Sequence, residues 1–274
     1  MTNKNFSVEK IVSFGVETFS KNLPISLFWF FLSNFIYYVP IFLSKFLFGT
    51  SEPDTIFRLL QTSLFTLVLQ IAASTMVSIG VTRIALNLHD KLQTSIMDFF
   101  QDIGLFMEYL IASTLYLLII VSGVVLLFIP IGFIAYRSNL FPVLSNLTTD
   151  SMQFLYQILY QFTILGFIFL LSLLPAIYFS IRLQFFGYFI IDQRLSPIES
   201  LKASFNITKG ILSQLLVVDS ILFAMNFLGI LFCFVGIIVS YPITVYCMAY
   251  LYRQLTQKED QKLISSSENR MDFS

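Results

Sequence analysis

The sequence predicts an all-α, polytopic membrane protein with six transmembrane helices and short interfacial amphipathic helices on the cytoplasmic side. Three observations carry this. Of the 274 residues 57% are apolar and 12% charged, with mean hydropathy +0.81, about half the charge of an average soluble domain. The apolar residues also fall in long runs free of Asp, Glu, Lys and Arg. These count 23 residues between Lys21 and Lys45, 24 between Arg58 and Arg83, and 28 between Glu108 and Arg137. A further 31 lie between Asp150 and Arg182, and 33 between Asp219 and Arg253. About 20 such residues span a bilayer core. The third observation is a one-sided distribution of basic residues.

Six spans are read at 23–45, 57–88, 108–130, 152–190, 209–228 and 233–252. With the N-terminus inside, 13 of the 16 basic residues lie on the inner side, and only Lys45, Arg58 and Arg137 lie outside. Dividing 152–190 into two spans would carry Arg194, Lys202, Lys209 and the tail outward, against the positive-inside rule. This segment is therefore one long helix, kinked at Pro175. The last two spans share one apolar run and need a tight turn among Asn226, Gly229 and Gly236. Residues 1–257 form a single integral membrane domain, and 258–274 a flexible polar tail in the cytoplasm. The mixed charges of residues 1–22, with no small-residue cleavage site after the first apolar run, argue against a signal peptide.

Three segments between spans have helical amphipathic pattern. In 7–22, Val8, Ile11, Val12, Val16, Phe19 and Leu23 recur at three- and four-residue spacing. In 95–107, Ser95 and Asp98 resemble a capping box before Phe99, Phe100, Ile103 and Phe106. In 196–209, Ser196 is the N-cap, Pro197 takes the first helical position and Glu199 the third; Ile198, Leu201 and Phe205 form the apolar stripe. These read as helices lying on the cytoplasmic leaflet, with partner docking as the alternative.

An internal repeat emerges from the polar residues within the spans. Span two carries Thr62, Thr66, Gln70, Ser74, Ser78 and Thr82 at four-residue spacing; span four carries Ser172, Ala176, Ser180 and Gln184. A shift of 102 residues superposes the two series and puts Asp90 on Asp192. Span six has a shorter version, Gly236, Ser240 and Thr244. Small residues four apart form a ridge on which backbones approach closely, so Ser74, Ser78, Thr82, Ala176, Ser180, Gly236 and Ser240 mark where spans two, four and six should meet. A polar pathway is the other reading of the same ridges.

Little in the chain suggests chemistry. There is no Walker loop, GxSxG, HExxH or GxGxxG, and the lone His89 with Cys233 and Cys247 provides no metal or haem ligand set. No cofactor, metal or catalytic residue is expected. A net charge of zero gives no field for nucleic acid. The exception is Asp219 at mid-span, where a carboxylate costs about 2.5–3.5 kcal/mol on insertion scales. Arg182 precedes Asp192 by ten residues and Asp219 follows Lys209 by ten, so both lie roughly 15 Å from the same interface. Asp219, Arg182 and, as second choice, Arg83 form the candidate intramembrane polar site. Asp219 reads as half of an ion pair, as a transport or proton-coupling residue, or as a neutral acid.

The segment from Pro175 to Gly210 combines a Pro-led helix with Arg182, then Asp192, the Ser196/Glu199 cap, Ser204, and Lys209-Gly210. It resembles the YciC-like group of bacterial inner-membrane proteins, and is similar to the membrane domain attached to some glycerophosphodiester phosphodiesterases. Gly229, Gly236, Pro242 and Tyr250-Leu-Tyr252-Arg253 continue the likeness, which covers roughly the last 80 residues well. Pro175-Ala176 stands where such proteins commonly have Pro-Gly, which makes the kink milder. The resemblance implies an inner-membrane protein of six spans with no catalytic residues, since the phosphodiesterase domain is absent from this chain. The expected function is a non-enzymatic structural or accessory role in the envelope. The alternative is a small transporter or lipid-handling protein using Asp219. Membrane lipids are the expected partners, with a protein partner or a second copy of the chain also open.

Overall fold

A computed structural model describes residues 7–49, 56–92, 94–137, 151–232 and 235–271. Among these there is no strand, and six helices are long and apolar enough to cross a membrane. The helices are α1 (Val8–Lys21), α2 (Leu23–Phe48), α3 (Ile56–His89), α4 (Phe106–Arg137), α5 (Ser151–Leu183), α6 (Phe186–Gln193), α7 (Pro197–Ile207), α8 (Leu212–Leu231) and α9 (Val235–Met271). Prolines 40, 130, 175 and 242 sit inside α2, α4, α5 and α9, a load that membrane helices tolerate. The chain divides into two compact units, residues 113–183 and the remainder.

The larger unit is built around α9. Helix α1 starts at Ser7, whose Oγ accepts the Lys10 N–H at 3.5 Å, and places Glu9 in its first turn and Lys21 in its last, as the helix dipole favours. Its apolar face does not simply lie on a leaflet. Ile11 is fully buried against α9, and the Ile11 carbonyl accepts the Cys247 thiol at 3.3 Å. A Cβ on Gly15 would lie 2.5 Å from Cys247 Sγ, so glycine there permits the approach. Val16, expected on the stripe, is exposed.

Helix α2 crosses to the same partner through Trp29, fully buried, whose Nε1–H donates to Tyr246 Oη at 2.9 Å while Ser26 Oγ lies 2.7 Å from the same oxygen. Between α2 and α3, Thr66 donates to Ser44 Oγ at 2.7 Å and Gln70 Nε2 to the Tyr37 carbonyl at 3.3 Å. The Thr66 and Gln70 part of the span-two ridge thus meets span one. At the other hairpin, α8 runs through Asn226 and Gly229 to Leu231 and α9 starts at Val235, so the helices change over between Gly229 and Gly236. A Cβ on Gly236 would lie 2.6 Å from Gly229 Cα, and Asn226 Nδ2 donates to Thr244 Oγ1 at 2.7 Å. The Gly236–Ser240–Thr244 ridge therefore packs on span five, its hairpin neighbour. Small residues mark close approaches between these sequence-adjacent helices, and α3 packs against α9 as well.

Segment 95–107 forms two short 3₁₀ turns, Ile96–Phe100 and Ile103–Leu105, where an amphipathic helix was expected. The Ser95 N–H donates to Asp98 Oδ2 at 2.9 Å, so the cap itself forms. Phe99 then inserts under α3, where a Cβ on Gly80 would lie 2.6 Å from the Phe99 carbonyl. Anchoring Phe99 and Asp102 (below) only three residues apart suits the tighter helix.

Helix α6 is separated from α5 by Gln184 and Phe185. The interruption thus lies nine residues beyond Pro175, through which α5 continues. The freed Phe185 N–H donates to Ser204 Oγ of α7 at 3.1 Å. Helix α7 carries the full capping box: the Ser196 N–H donates to Glu199 Oε2 at 3.3 Å, and the Glu199 N–H donates to Ser196 Oγ at 3.4 Å, with the Ser196 hydroxyl also donating to Glu199 Oε2 at 2.8 Å. The bonds from the Ser196 hydroxyl and backbone N–H hold the Glu199 carboxyl below its usual range. The buried face of α7 is Ser200, Leu201, Ser204 and Ile207, whereas Ile198 is exposed. Sequence placed Ile198 on the stripe, yet burial goes to the two serines that let α7 sit close to α6.

In the smaller unit α4 and α5 meet where a Cβ on Gly123 would lie 3.1 Å from Pro175 Cβ. Leu126, Ile129, Phe162 and Leu170 are among its exposed apolar side chains. At the C-terminus α9 runs on to Met271, so most of the polar tail is helical; residues 258–271 contain no Gly or Pro to stop it.

Candidate functional site

Several charged side chains of the larger unit gather where the C-terminal ends of α3 and α6 meet the middle of α9, in two linked networks. The first is centred on Asp102, whose side chain is fully buried. Arg83 Nε donates to its Oδ2, and Arg194 Nη2 donates to its Oδ1 at 2.6 Å. Arg83 Nη2 also donates to the Ile191 carbonyl at 3.3 Å. One carboxylate therefore ties the 3₁₀ segment to α3 and to the residue that caps α6. Arg194 adopts a left-handed conformation, φ 55°, and its N–H closes α6 on the Ile190 carbonyl at 3.1 Å. That turn swings its side chain back toward Asp102.

The second network is centred on Arg253 of α9. Nη1 donates to Asp192 Oδ2 at 2.8 Å and Nη2 to Asp90 Oδ2 at 2.5 Å. Tyr252 Oη donates to Asp192 Oδ2 at 2.9 Å, and its ring stacks on Tyr188 of α6 at 5.2 Å between centroids. His89 Nδ1 lies 2.9 Å from Asp90 Oδ1, with the ring beside Phe14 and Tyr250. Asp90 and Asp192, superposed by the 102-residue shift, thus converge on one guanidinium supplied by the third span pair. Planar, multi-donor arginine suits such a bridge, which lysine could not reproduce.

These networks relocate one of the three candidate residues. Arg83 was the second choice as partner for Asp219. It is instead committed to Asp102, because the 3₁₀ segment folds back against the last turns of α3. Asp219 lies part-buried on α8, with the Gln184 side chain the polar group beside its carboxylate. Arg182 ends α5, with its guanidinium 5.9 Å from the Tyr178 ring centroid. Arg182 and Asp219 belong to different compact units, and their pairing stays an expectation.

Sequence reasoning missed Asp102, Arg194 and Arg253 as partners. The available signal was the coincidence of Asp90 with Asp192, since two acids at equivalent helix ends call for a shared cation. No group of His, Cys, Asp or Glu that could hold a metal ion occurs among the described residues. Within the two networks each carboxylate and each guanidinium has a partner, so the arrangement can hold helix ends together.

Over 92 residues the chain is 35% identical to the uncharacterized protein Rv2560 of Mycobacterium tuberculosis (strain ATCC 25618 / H37Rv). It is equally similar to the uncharacterized protein Mb2590 of Mycobacterium bovis (strain ATCC BAA-935 / AF2122/97). Each match covers 32% of this chain and 27% of the relative, so the chain spans about a quarter of the length of the curated relatives it matches. No family model and no solved structure matches it. The chain is a multi-pass integral membrane protein, similar over about a third of its length to these mycobacterial proteins.

Proposed function

We propose that the chain is a non-enzymatic protein of the bacterial inner membrane with a structural or accessory role in the envelope. The observation that supports it is the convergence of Asp90 and Asp192 on Arg253, beside the closed Asp102 network. Charge at these helix ends is spent on joining repeat-related elements. A transporter would aim several such groups into one cavity. On this reading Asp219 is a packing residue. The variant Asp219→Asn, restored to a strain lacking the protein, should lower the apparent melting temperature in detergent yet complement envelope-stress sensitivity wherever it accumulates to normal levels. An Asp219→Asn protein that melts normally, accumulates normally and fails to complement would transfer the assignment to transport or lipid handling.

The same reading places both termini and the ion-pair networks on the cytoplasmic side, following the basic-residue bias. In a Cys-free background, a cysteine at position 202 should resist an impermeant thiol reagent in intact cells and react after permeabilisation. Labelling of position 202 in intact cells would overturn the orientation.

A further inference from the structure

At the end of the α2–α3 hairpin remote from the ion-pair networks, residues of both helices line an open groove of about 830 Å³. Its volume falls within the roughly 300–1,000 Å³ of small-molecule sites. Lys45 of α2 and Arg58 of α3 both line it, along with Gln61, Thr62, Ser63 and, at its inner end, Gln70. Lys45 takes part in none of the ion pairs found among the described residues. Gln70 Oε1 is buried and accepts no hydrogen bond from the described residues, so the groove has a polar floor that hydrocarbon would leave unsatisfied.

The position of the groove matters as much as its chemistry. Arg58 and Arg83 are 25 residues apart on α3, roughly 38 Å of helix. The hydrocarbon core is about 30 Å thick. With Arg83 at one boundary, Lys45 and Arg58 therefore stand at headgroup level of the opposite leaflet. Phe42, Phe46, Leu60 and Leu64 are each more than 60% exposed on the same hairpin, and furnish apolar surface beside the polar groove.

We propose that this groove binds the phosphate-bearing headgroup of an anionic phospholipid, with the phosphate between Lys45 and Arg58 and the acyl chains along the exposed apolar side chains of the hairpin. Lys45 sets the preference: a zwitterionic choline headgroup would bring its own cation toward the Lys45 ammonium, whereas a glycerol headgroup would not. The site uses no residue of the Asp219 region or of the ion-pair networks, and stands or falls independently of the structural role.

Native mass spectrometry of the detergent-purified protein, loaded with phosphatidylglycerol or phosphatidylcholine, tests it. The wild type should retain phosphatidylglycerol in preference to phosphatidylcholine. The double variant Lys45→Gln/Arg58→Gln should lose at least about tenfold of that retention, since each cation near a membrane surface contributes to binding of anionic lipid. Ser63→Trp, which fills the groove without changing charge, should lose retention as well, whereas Lys202→Gln on α7 should match the wild type. Lys45, Arg58 and Ser63 are exposed, and an unchanged melting profile confirms that a variant is folded. Excess inorganic phosphate should leave the lipid adducts in place. Displacement by phosphate would make the site one for a soluble anion and overturn the proposal. Undiminished phosphatidylglycerol retention by the folded double variant would overturn it too.

Discussion

Asp102→Asn should lower the stability of the detergent-solubilised protein by about 3 kcal/mol, the low end of the cost of breaking a buried ion pair. The carboxylate is fully buried and serves both Arg83 and Arg194. Asparagine keeps its shape but removes the charge that compensates two guanidiniums. Arg83, 17% exposed, has little access to water as a substitute. Trp29 supplies the readout: it is the single tryptophan of the chain, fully buried and hydrogen-bonded to Tyr246 across α2 and α9. Its emission should report an apparent midpoint lowered by roughly 5–10 °C. Glu17→Gln removes an exposed i,i+4 pair with Lys21 and should leave the midpoint where it was, because exposed pairs are screened by solvent. Equal midpoints for Asp102→Asn and the wild type would show that Asp102 does not hold the 3₁₀ segment in place.

Gly236→Ala is the second large effect expected. The new Cβ would meet Gly229 Cα at 2.6 Å and the Gly229 carbonyl oxygen at 2.8 Å. Both contacts are backbone, so no side chain can rotate away, and the α8–α9 hairpin must open. Overpacking of this kind costs about 1–3 kcal/mol, and separating the helices also strains the Asn226–Thr244 hydrogen bond. Gly166→Ala provides the contrast: the same change within α5, with nothing within 4 Å of the added Cβ. There, removing a helical glycine should be neutral or stabilising by about 0.5–1 kcal/mol. The midpoint of Gly236→Ala should therefore fall well below that of Gly166→Ala. If the two variants melt together, close approach at Gly229 and Gly236 is not what joins the hairpin.

Six helices able to span a membrane, the α7 cap at Ser196–Glu199 and the start of α1 were legible in the sequence, because each depends on residues within a few positions of one another. A charge-free run of 23 or more residues has few ways to satisfy its backbone in lipid other than as helix, and a capping box closes within four residues. Close approach at Gly229 and Gly236 was half legible, since small residues announce that a neighbour comes near without saying which. Tertiary structure decided the rest. Asp102, Arg83 and Arg194 come from segments up to 111 residues apart, and nothing local distinguishes Asp102 from any other acid in a connecting segment. Helix α5 passes through Pro175 as the sequence predicts, but it ends at Leu183 where a helix to residue 190 was expected, and Ser204 of α7 accepts the freed Phe185 N–H. The sequence determined which segments are helical and which ends carry charge. Only the folded chain decided which charge meets which, because pairing energy depends on distance and burial, and both are set by packing.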